Sequence, residues 1–442
     1  MAAGPFGRTL PRLETPVPGP RSLELGRRLR AVESPNITRI DRDGPIFWAE
    51  AAGANVRDAD GNVYIDLTAG FGVAGAGHSH PAVAEAVARQ VRRLAHAMGD
   101  VHPADVKVEL LERLAELAPG DLAMAILSAN GSDAVESALK TAALATGRPG
   151  VIAFEGAYHG LGYGALAVTA PRRFREPFRR QLYPGVRFVP FPGARDAPDS
   201  DVVLAAVRAA VEETRGGADP VGAVIVEPIQ GRGGILVPPP DFLPGLRALC
   251  DELDLLLVVD EVYTGLGRTG RWFACEHWKV VPDLLVIGKS LAGGLPLSAV
   301  LGSPAVMEAW PASEGEAIHT STFLGNPVTA AAALAHLRVI EEDRLVERAD
   351  RLGRRRLGDR LEEWVRELPA AAGARGLGLM RALELAGPEP EGAARRVVAR
   401  ALRAGIILLA EGPALAFTPP LVITEEQLDH ALDRLHAALV EG

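Results

Sequence analysis

Short apolar runs alternate with amphipathic helical patterns through the middle of the chain. Seven runs have the length and composition of strands: residues 123–127, 151–154, 186–191, 221–226, 255–259, 284–287 and 297–301. These runs lack the alternation of half-exposed strands, so they indicate a mostly parallel sheet covered by helices on both faces. The pattern predicts an α/β fold.

The pattern differs at the two ends of the chain. Residues 1–65 contain a short helical pattern and a predicted hairpin, which we assign to an N-terminal arm and part of a small domain. Residues 66–326 form the large domain with the predicted sheet. Residues 327–442 are mainly helical, with short strands at 406–409 and 414–417. We therefore predict a smaller α+β domain formed by both chain ends.

Composition and charge exclude several kinds of partner. The formal net charge of −9 provides no basic field for nucleic acid or for an anionic membrane surface. The apolar runs are far shorter than the ~20 residues that cross a bilayer. Cys250 and Cys275 are the only cysteines and have no metal-binding or redox spacing, which favours reduced thiols in a cytoplasmic protein.

Polar segments directly follow five of the predicted strands. They are residues 128–132, 155–160, 227–230, 260–261 and 288–290. The carboxyl ends of parallel strands meet at one edge of a sheet, where open α/β folds bind their ligands. We therefore expect these segments to form one site.

Lys289 is the most informative residue of that edge. The chain has four lysines among its 47 basic residues, so arginine occupies nearly every other basic position. Arginine keeps its proton at ordinary pH, whereas a desolvated lysine can lose its proton and attack a carbonyl. Lys289 therefore predicts a nucleophilic amine. The alternative is a side chain that extends from the strand end into solvent.

Asp260 and the pair Gly131 and Ser132 are the next candidates. Asp260 ends an apolar strand, where a carboxylate needs a partner such as a protonated pyridine nitrogen. The alternatives for Asp260 are a cap of the next turn and an ion pair with arginine. Gly131 and Ser132 begin a helical pattern whose first N–H groups can bind a phosphate, although Ser132 could simply cap that helix.

Two further motifs give weaker signals. Residues 265–270 match the Gly-x-Gly-x-x-Gly spacing of dinucleotide-binding loops, but neither a convincing helix nor the expected acidic residue follows. We interpret this segment as a glycine-rich loop. His78 and His80 are too few ligands for a metal, so we predict turn packing there and no metal site.

Taken in order, these segments resemble the class III aminotransferases of fold type I, subgroup II, the ornithine and 4-aminobutyrate type. The resemblance covers the chain from about Asn36 to the C-terminus. The matching stretches are residues 66–70, 77–81, 130–136, 158–160, 226–231, 260–265, 288–289 and 321–327.

The resemblance implies a pyridoxal 5′-phosphate enzyme in which Lys289 forms the Schiff base and shuttles protons. Asp260 would face the ring nitrogen, Tyr158 would stack on the ring, and Gly131 and Ser132 would hold the phosphate. The remaining expected cofactor-binding residues are His159, Glu227, Tyr263 and Thr322. Thr322 would reach the phosphate in the neighbouring subunit, which implies a homodimer with shared active sites or a tetramer.

The activity that the resemblance implies is transfer of an amino group from an amine or amino acid to a 2-oxo acid by a ping-pong mechanism. A racemase, epimerase or aminomutase on the same fold stays open, because the same Cα carbanion can be reprotonated. The presence of both Lys289 and Asp260 argues against an inactive binding protein.

Departures from the family pattern bear on the cofactor contacts and the substrate. Tyr263 stands where many members have a Gln that contacts the ring hydroxyl. Leu161 replaces the Arg of the ornithine and 4-aminobutyrate enzymes, so neither substrate is well supported.

A gating ion pair of the family is also changed. Arg232 replaces its Glu, and Ala416 replaces its Arg. Arg232 is therefore a candidate to bind a substrate carboxylate through two parallel hydrogen bonds. The alternative is that Arg232 pairs with a protein carboxylate. Phe71 is the second candidate substrate contact.

Overall fold

The computed structural model describes residues 5–38, 45–194 and 196–440. Its strands are β1 (Trp48–Ala52), β2 (Asn55–Asp58), β3 (Val63–Asp66), β4 (Met124–Ser128), β5 (Gly150–Phe154), β6 (Val186–Val189), β7 (Val221–Val226), β8 (Leu256–Asp260), β9 (Leu284–Ile287), β10 (Ser298–Gly302), β11 (Ala371–Leu377), β12 (Met380–Leu385), β13 (Ile406–Ile407), β14 (Leu409–Glu411) and β15 (Ala414–Phe417).

The helices surround these strands. They are α1 (Pro20–Val32), α2 (Ala69–Gly72), α3 (Pro81–Arg93), α4 (Asp105–Leu117), α5 (Gly131–Thr146), α6 (Tyr163–Val168), α7 (Arg172–Arg175), α8 (Ser200–Thr214), α9 (Phe242–Glu252), α10 (Pro304–Met307), α11 (Pro327–Glu342), α12 (Leu345–Leu352), α13 (Asp359–Glu367), α14 (Pro390–Arg403) and α15 (Glu425–Val440). In the described part of the chain, none is long and apolar enough to span a bilayer.

The chain forms two compact units. The first comprises Met1–Pro81 with Arg351–Gly442, and the second comprises Ala82–Asp350. These limits lie further along the chain than the boundaries that we predicted after residues 65 and 326.

The second unit contains a seven-stranded sheet with the order β4-β10-β9-β8-β7-β5-β6. All seven predicted runs lie in it, and β9, β8, β7, β5 and β6 are parallel. Every residue of β5, β7 and β9 is buried, because helices cover both faces. The predicted α/β fold with a mostly parallel sheet is confirmed.

Strand β10 is the exception in this sheet, since it runs antiparallel to both β4 and β9. Only a short 3-10 helix, Lys289–Ala292, stands in the connection from β9 to β10. A parallel return needs a longer crossover, usually through an α-helix, so the chain comes back antiparallel. Consequently the segment after β9 turns tightly at the edge of the sheet where the other polar segments lie.

The first unit combines strands from both ends of the chain, as predicted. Strand β13 pairs parallel with β3, and β1, β2 and β3 are antiparallel. A second, antiparallel sheet has the order β11-β12-β15-β14. The single strand predicted at 406–409 is therefore wrong in detail, because the chain passes from one sheet to the other after Ile407.

Candidate active site

The start of α5 lies directly after β4. Asn130 caps this helix, because its side chain accepts a hydrogen bond from the amide of Asp133 at 3.0 Å. The alternative that Ser132 is the cap is thus wrong. Ser132 Oγ instead accepts a hydrogen bond from the amide of Gly162 at 2.8 Å. The first-turn amides of α5, at Gly131 and Ser132, have no carbonyl partner within the helix and can bind an anion.

Gly160 fixes a second segment against this helix start. Its φ of 127° is accessible to glycine and strained for other residues, and a Cβ there would lie 2.7 Å from Cβ of Ser132. The backbone after β5 can therefore pack directly on Ser132. This close approach brings Tyr158 and His159 to the same edge as the start of α5.

Asp260 and His159 form a buried pair. Nδ1 of His159 donates to Oδ2 of Asp260 at 2.7 Å, and the amide of Val262 donates to Oδ1 at 3.0 Å. The two side chains are 0% and 5% exposed. The sequence left two alternatives for Asp260. Asp260 does cap the next turn, because it accepts the Val262 amide, but no arginine of the described residues pairs with it. His159 and the amide of Val262 thus fix the orientation of the Asp260 carboxyl group.

Glu227 connects two other segments of the site. Its carboxyl oxygens accept hydrogen bonds from the amide of Tyr158 at 2.9 Å and from the amide of Gly231 at 3.1 Å. Burial raises the pKa of Glu227 to about 7, and the charge of Asp260 acts in the same direction. The nearby His159 and the two amides oppose that shift. Glu227 therefore fixes the backbone at Tyr158 and at Gly231, the residue that precedes Arg232.

Lys289 follows β9 and is half-buried. Its φ of 41° lies in the left-handed region, which costs a residue with a side chain on the order of 1–3 kcal/mol. The Nζ atom lies 3.5 Å from the ring centroid of Tyr263. Strained backbone of this kind concentrates at functional sites, and here it directs the amine toward the segment after β8.

Arg232 is held by two aromatic rings. Its guanidinium carbon lies 4.5 Å from the centroid of Tyr158 and 5.9 Å from that of Phe174, and the two rings contact edge to face at 5.7 Å. Within the described ranges no carboxylate forms an ion pair with Arg232, so the predicted alternative of a protein ion pair is not realised there. Burial also raises the pKa of Tyr158, against the effect of the Arg232 charge.

Thr322 lies in an exposed segment before α11. This segment is attached to α5 through His319, whose Nε2 lies 2.8 Å from Oγ of Ser137 and whose Nδ1 lies 3.1 Å from Nζ of Lys140. With Nδ1 accepting from the ammonium, Nε2 donates to the serine. The loop that presents Thr322 is thus positioned by the helix whose first turn is the candidate phosphate site.

The residues set aside by sequence lie as follows. In the loop of residues 265–270, the amides of Leu266 and Gly267 donate to the carbonyl of Trp272, and no α-helix begins there. In the first unit, His78 contacts Asp66 at 2.8 Å. No group of three metal-binding side chains occurs among the residues that the structure describes. Phe71, also in the first unit, has a φ of 64° and is 56% exposed.

Sequence reasoning missed Phe174, His319 and the structural role of Gly160. The only signal for Phe174 was an aromatic residue flanked by arginines, and His319 stood in a polar loop without a motif. The residues that sequence reasoning did select fit pyridoxal phosphate. Lys289 offers an amine, Asp260 a buried carboxylate for a cationic ring nitrogen, and the start of α5 unpaired amides for a phosphate.

Comparison with known proteins agrees with this chemistry. The family model described as Aminotransferase class-III matches residues 38–439. The acetylornithine aminotransferase of Methanopyrus kandleri is 40% identical over 397 residues, which cover 89% of this chain and 94% of that protein. The alanine/serine racemase of Pyrococcus horikoshii is 35% identical over 447 residues, covering 97% and 92%.

A solved structure is similar over nearly the same extent. The ornithine aminotransferase of Toxoplasma gondii, described with pyridoxal phosphate at its active site, is 31% identical to this chain. The superposition covers 95% of this chain and 94% of the Toxoplasma gondii chain, with a TM-score of 0.83.

Proposed function

The chain belongs to the class III aminotransferases, and from that premise we propose a role for each residue of the candidate site. The enzyme uses pyridoxal phosphate and moves an amino group from an amine or amino acid to a 2-oxo acid. We assign the covalent bond to the cofactor to Lys289. The observation that supports this most strongly is the strained φ of 41° at a half-buried lysine that faces the site.

When bound, the cofactor would supply a sink for the electrons left at the substrate Cα after its proton has been removed. Asp260 stabilises the positive ring nitrogen that this requires, and His159 keeps the Asp260 carboxylate in place through the 2.7 Å contact. Lys289 removes and returns protons on the face from which its amine approaches. The amides of Gly131 and Ser132 would hold the phosphate, and Tyr158 would pack on the ring.

Arg232 binds a substrate carboxylate in this proposal. A guanidinium that pairs with no carboxylate among the described residues is available for two parallel hydrogen bonds to a substrate. Its stacking on Tyr158 limits the orientations that Arg232 can adopt, so the carboxylate would be held next to the reacting carbon. The donors would then be amino acids in preference to simple amines.

Two further proposals concern assembly and location. Thr322 and its neighbours Ile318 and Phe323 are exposed, with Ile318 67% and Phe323 64% exposed. This apolar surface suits a second copy of the chain, to which Thr322 would contribute a phosphate contact.

Cys250 and Cys275 are buried free thiols, as expected for an enzyme of the reducing cytoplasm.

The decisive experiment follows the visible absorbance of the purified enzyme as amino acids and amines are added without an oxo acid. Loss of the band with formation of the aminated cofactor supports amino transfer. A stable band with decay of optical rotation would instead support racemisation, which the Pyrococcus horikoshii relative makes the second candidate.

The role of Arg232 is tested by comparing Arg232→Ala with Arg173→Ala. Arg173 is the control because its guanidinium carbon also lies over the ring of Phe174, 4.7 Å from the centroid, while its side chain is exposed on α7. We expect Arg232→Ala to raise KM for amino acids by roughly 10-fold or more, as loss of a charged hydrogen bond of about 1.5–3 kcal/mol implies. Amines without a carboxylate should be unaffected. Equal effects of the two variants, or none, would refute the assignment.

A further inference from the structure

Tyr263 presents the face of its ring to Lys289. The Nζ atom lies 3.5 Å from the ring centroid, well inside the ~6 Å within which an ammonium is attracted to an aromatic face. The contact is with the face of the aromatic ring. Leucine or glutamine at this position could not provide it, whereas phenylalanine could.

Gly231 makes room for this ring. A Cβ at position 231 would lie 3.0 Å from Cε1 of Tyr263 and closer still to Cδ1. Contacts that short are not tolerated, so an alanine at 231 would displace the ring from its position. Gly231 is itself held by Glu227, whose carboxyl accepts the Gly231 amide at 3.1 Å. The ring therefore contacts both the backbone at Gly231 and the amine of Lys289.

We propose that Tyr263 is a positioning residue for Lys289 through its ring face, and that Gly231 is the small residue that this placement requires. The inference rests on the proposed function of Lys289. A cation over the ring is stabilised and restricted in position, so the ring holds the lysine amine when that amine is protonated.

Lys289 would carry a neutral amine once a substrate amine had replaced it on the cofactor. It gains a proton as the Cα–H bond breaks and becomes an ammonium, the form that the ring of Tyr263 attracts. A cation–π contact is worth from about 0.5 to 2 kcal/mol, which corresponds to roughly 2- to 30-fold in rate. The effect belongs to the proton-transfer step and not to substrate binding.

The first test compares Tyr263→Phe with Tyr263→Leu in the holoenzyme. We expect the phenylalanine variant to transfer the amino group about 2- to 30-fold faster than the leucine variant, with similar KM. The leucine variant should also show a larger isotope effect with a donor deuterated at Cα, because its proton transfer has become slower. Equal rates and equal isotope effects would overturn the proposal.

A double-mutant cycle tests the part assigned to Gly231. Gly231→Ala should slow transfer in the presence of Tyr263 and have little further effect in the Tyr263→Ala background, where no ring is displaced. Additive losses would show that residue 231 acts independently of the ring. They would refute that part of the proposal.

A spectroscopic test needs no turnover. In the NMR spectrum of protein labelled with ¹³C at lysine Cε, the four lysines give four signals. The signal that disappears in the Lys289→Arg variant is the signal of Lys289. In the cofactor-free full chain, the Lys289 protons should show an upfield ring-current shift. We expect Tyr263→Phe to keep the shift and Tyr263→Leu to lose it.

The spectroscopic result separates this inference from the proposed function. A wild-type signal without the upfield shift would refute the ring contact even if the enzyme transfers amino groups. Conversely, a shifted signal in a protein whose Lys289→Ala variant still transfers amino groups would refute the proposed function of Lys289 and leave the contact itself established.

Discussion

Replacing Glu227 by Gln removes a titratable proton from the site at nearly constant size. The carboxyl is 6% exposed and bridges the amides of Tyr158 and Gly231. Burial raises the pKa of Glu227 from its ordinary 4.5 to about 7 in the folded protein. In the unfolded chain the same carboxyl is exposed to water and returns to its ordinary range.

The sign of the pH effect follows from that difference. Because the folded pKa is the higher one, the contribution of Glu227 to stability is fully present below about pH 4.5 and is lost as the pH rises through 7. A rise of roughly 2.5 pKa units corresponds to about 3 kcal/mol at 1.36 kcal/mol per unit. The wild-type protein should therefore lose stability between pH 5 and pH 8 that the Glu227→Gln variant keeps.

The assay is thermal or urea unfolding of both holoenzymes from pH 5 to pH 8. We expect the stability of the variant relative to wild type to increase with pH. Glu261, whose pKa burial also raises to about 7, is present in both proteins and cancels in the difference. Glu155→Gln, at an exposed position, is the matched control and should show no trend. A difference between Glu227→Gln and wild type that is constant over this range would refute the buried, protonated carboxyl.

Other variants test the phosphate site and the loop. Gly160→Ala should weaken cofactor binding in equilibrium dialysis, because its methyl group would lie only 2.7 Å from the side chain of Ser132 and would displace that residue. Gly147→Ala is the control, since Gly147 has a φ of 64° and nothing within 4 Å of the added methyl group. This variant should lose about 1 kcal/mol of stability and keep the cofactor affinity of wild type. His319→Gln should speed glutamyl endopeptidase cleavage in the exposed loop that precedes it, and an unchanged rate would contradict the anchoring. Thr322→Val should weaken cofactor binding by roughly 10- to 100-fold without changing the sedimentation of the assembly; equal affinity would exclude the proposed phosphate contact.

The limits of two predicted strands were accurate because a fully buried strand has a local signal. Val221–Val226 and Leu284–Ile287 begin and end where their apolar runs do. The reversal of β10 had no such signal, since its residues would be equally apolar in a parallel strand. The connection after Lys289, and the neighbours β4 and β9, decided that direction.

The sequence by itself determined the layered α/β fold and the edge of the sheet that collects the polar segments, and it selected Lys289 and Asp260 as candidates. Each of these depends on residue type, run length and position relative to a strand end, which local physics controls. Only the tertiary structure decided which side chains are partners. His159 and Asp260 are a pair across β5 and β8, and Arg232 lies against a ring from another segment. Such contacts join positions far apart in the chain, and packing at the sheet edge, not local pattern, sets their distances.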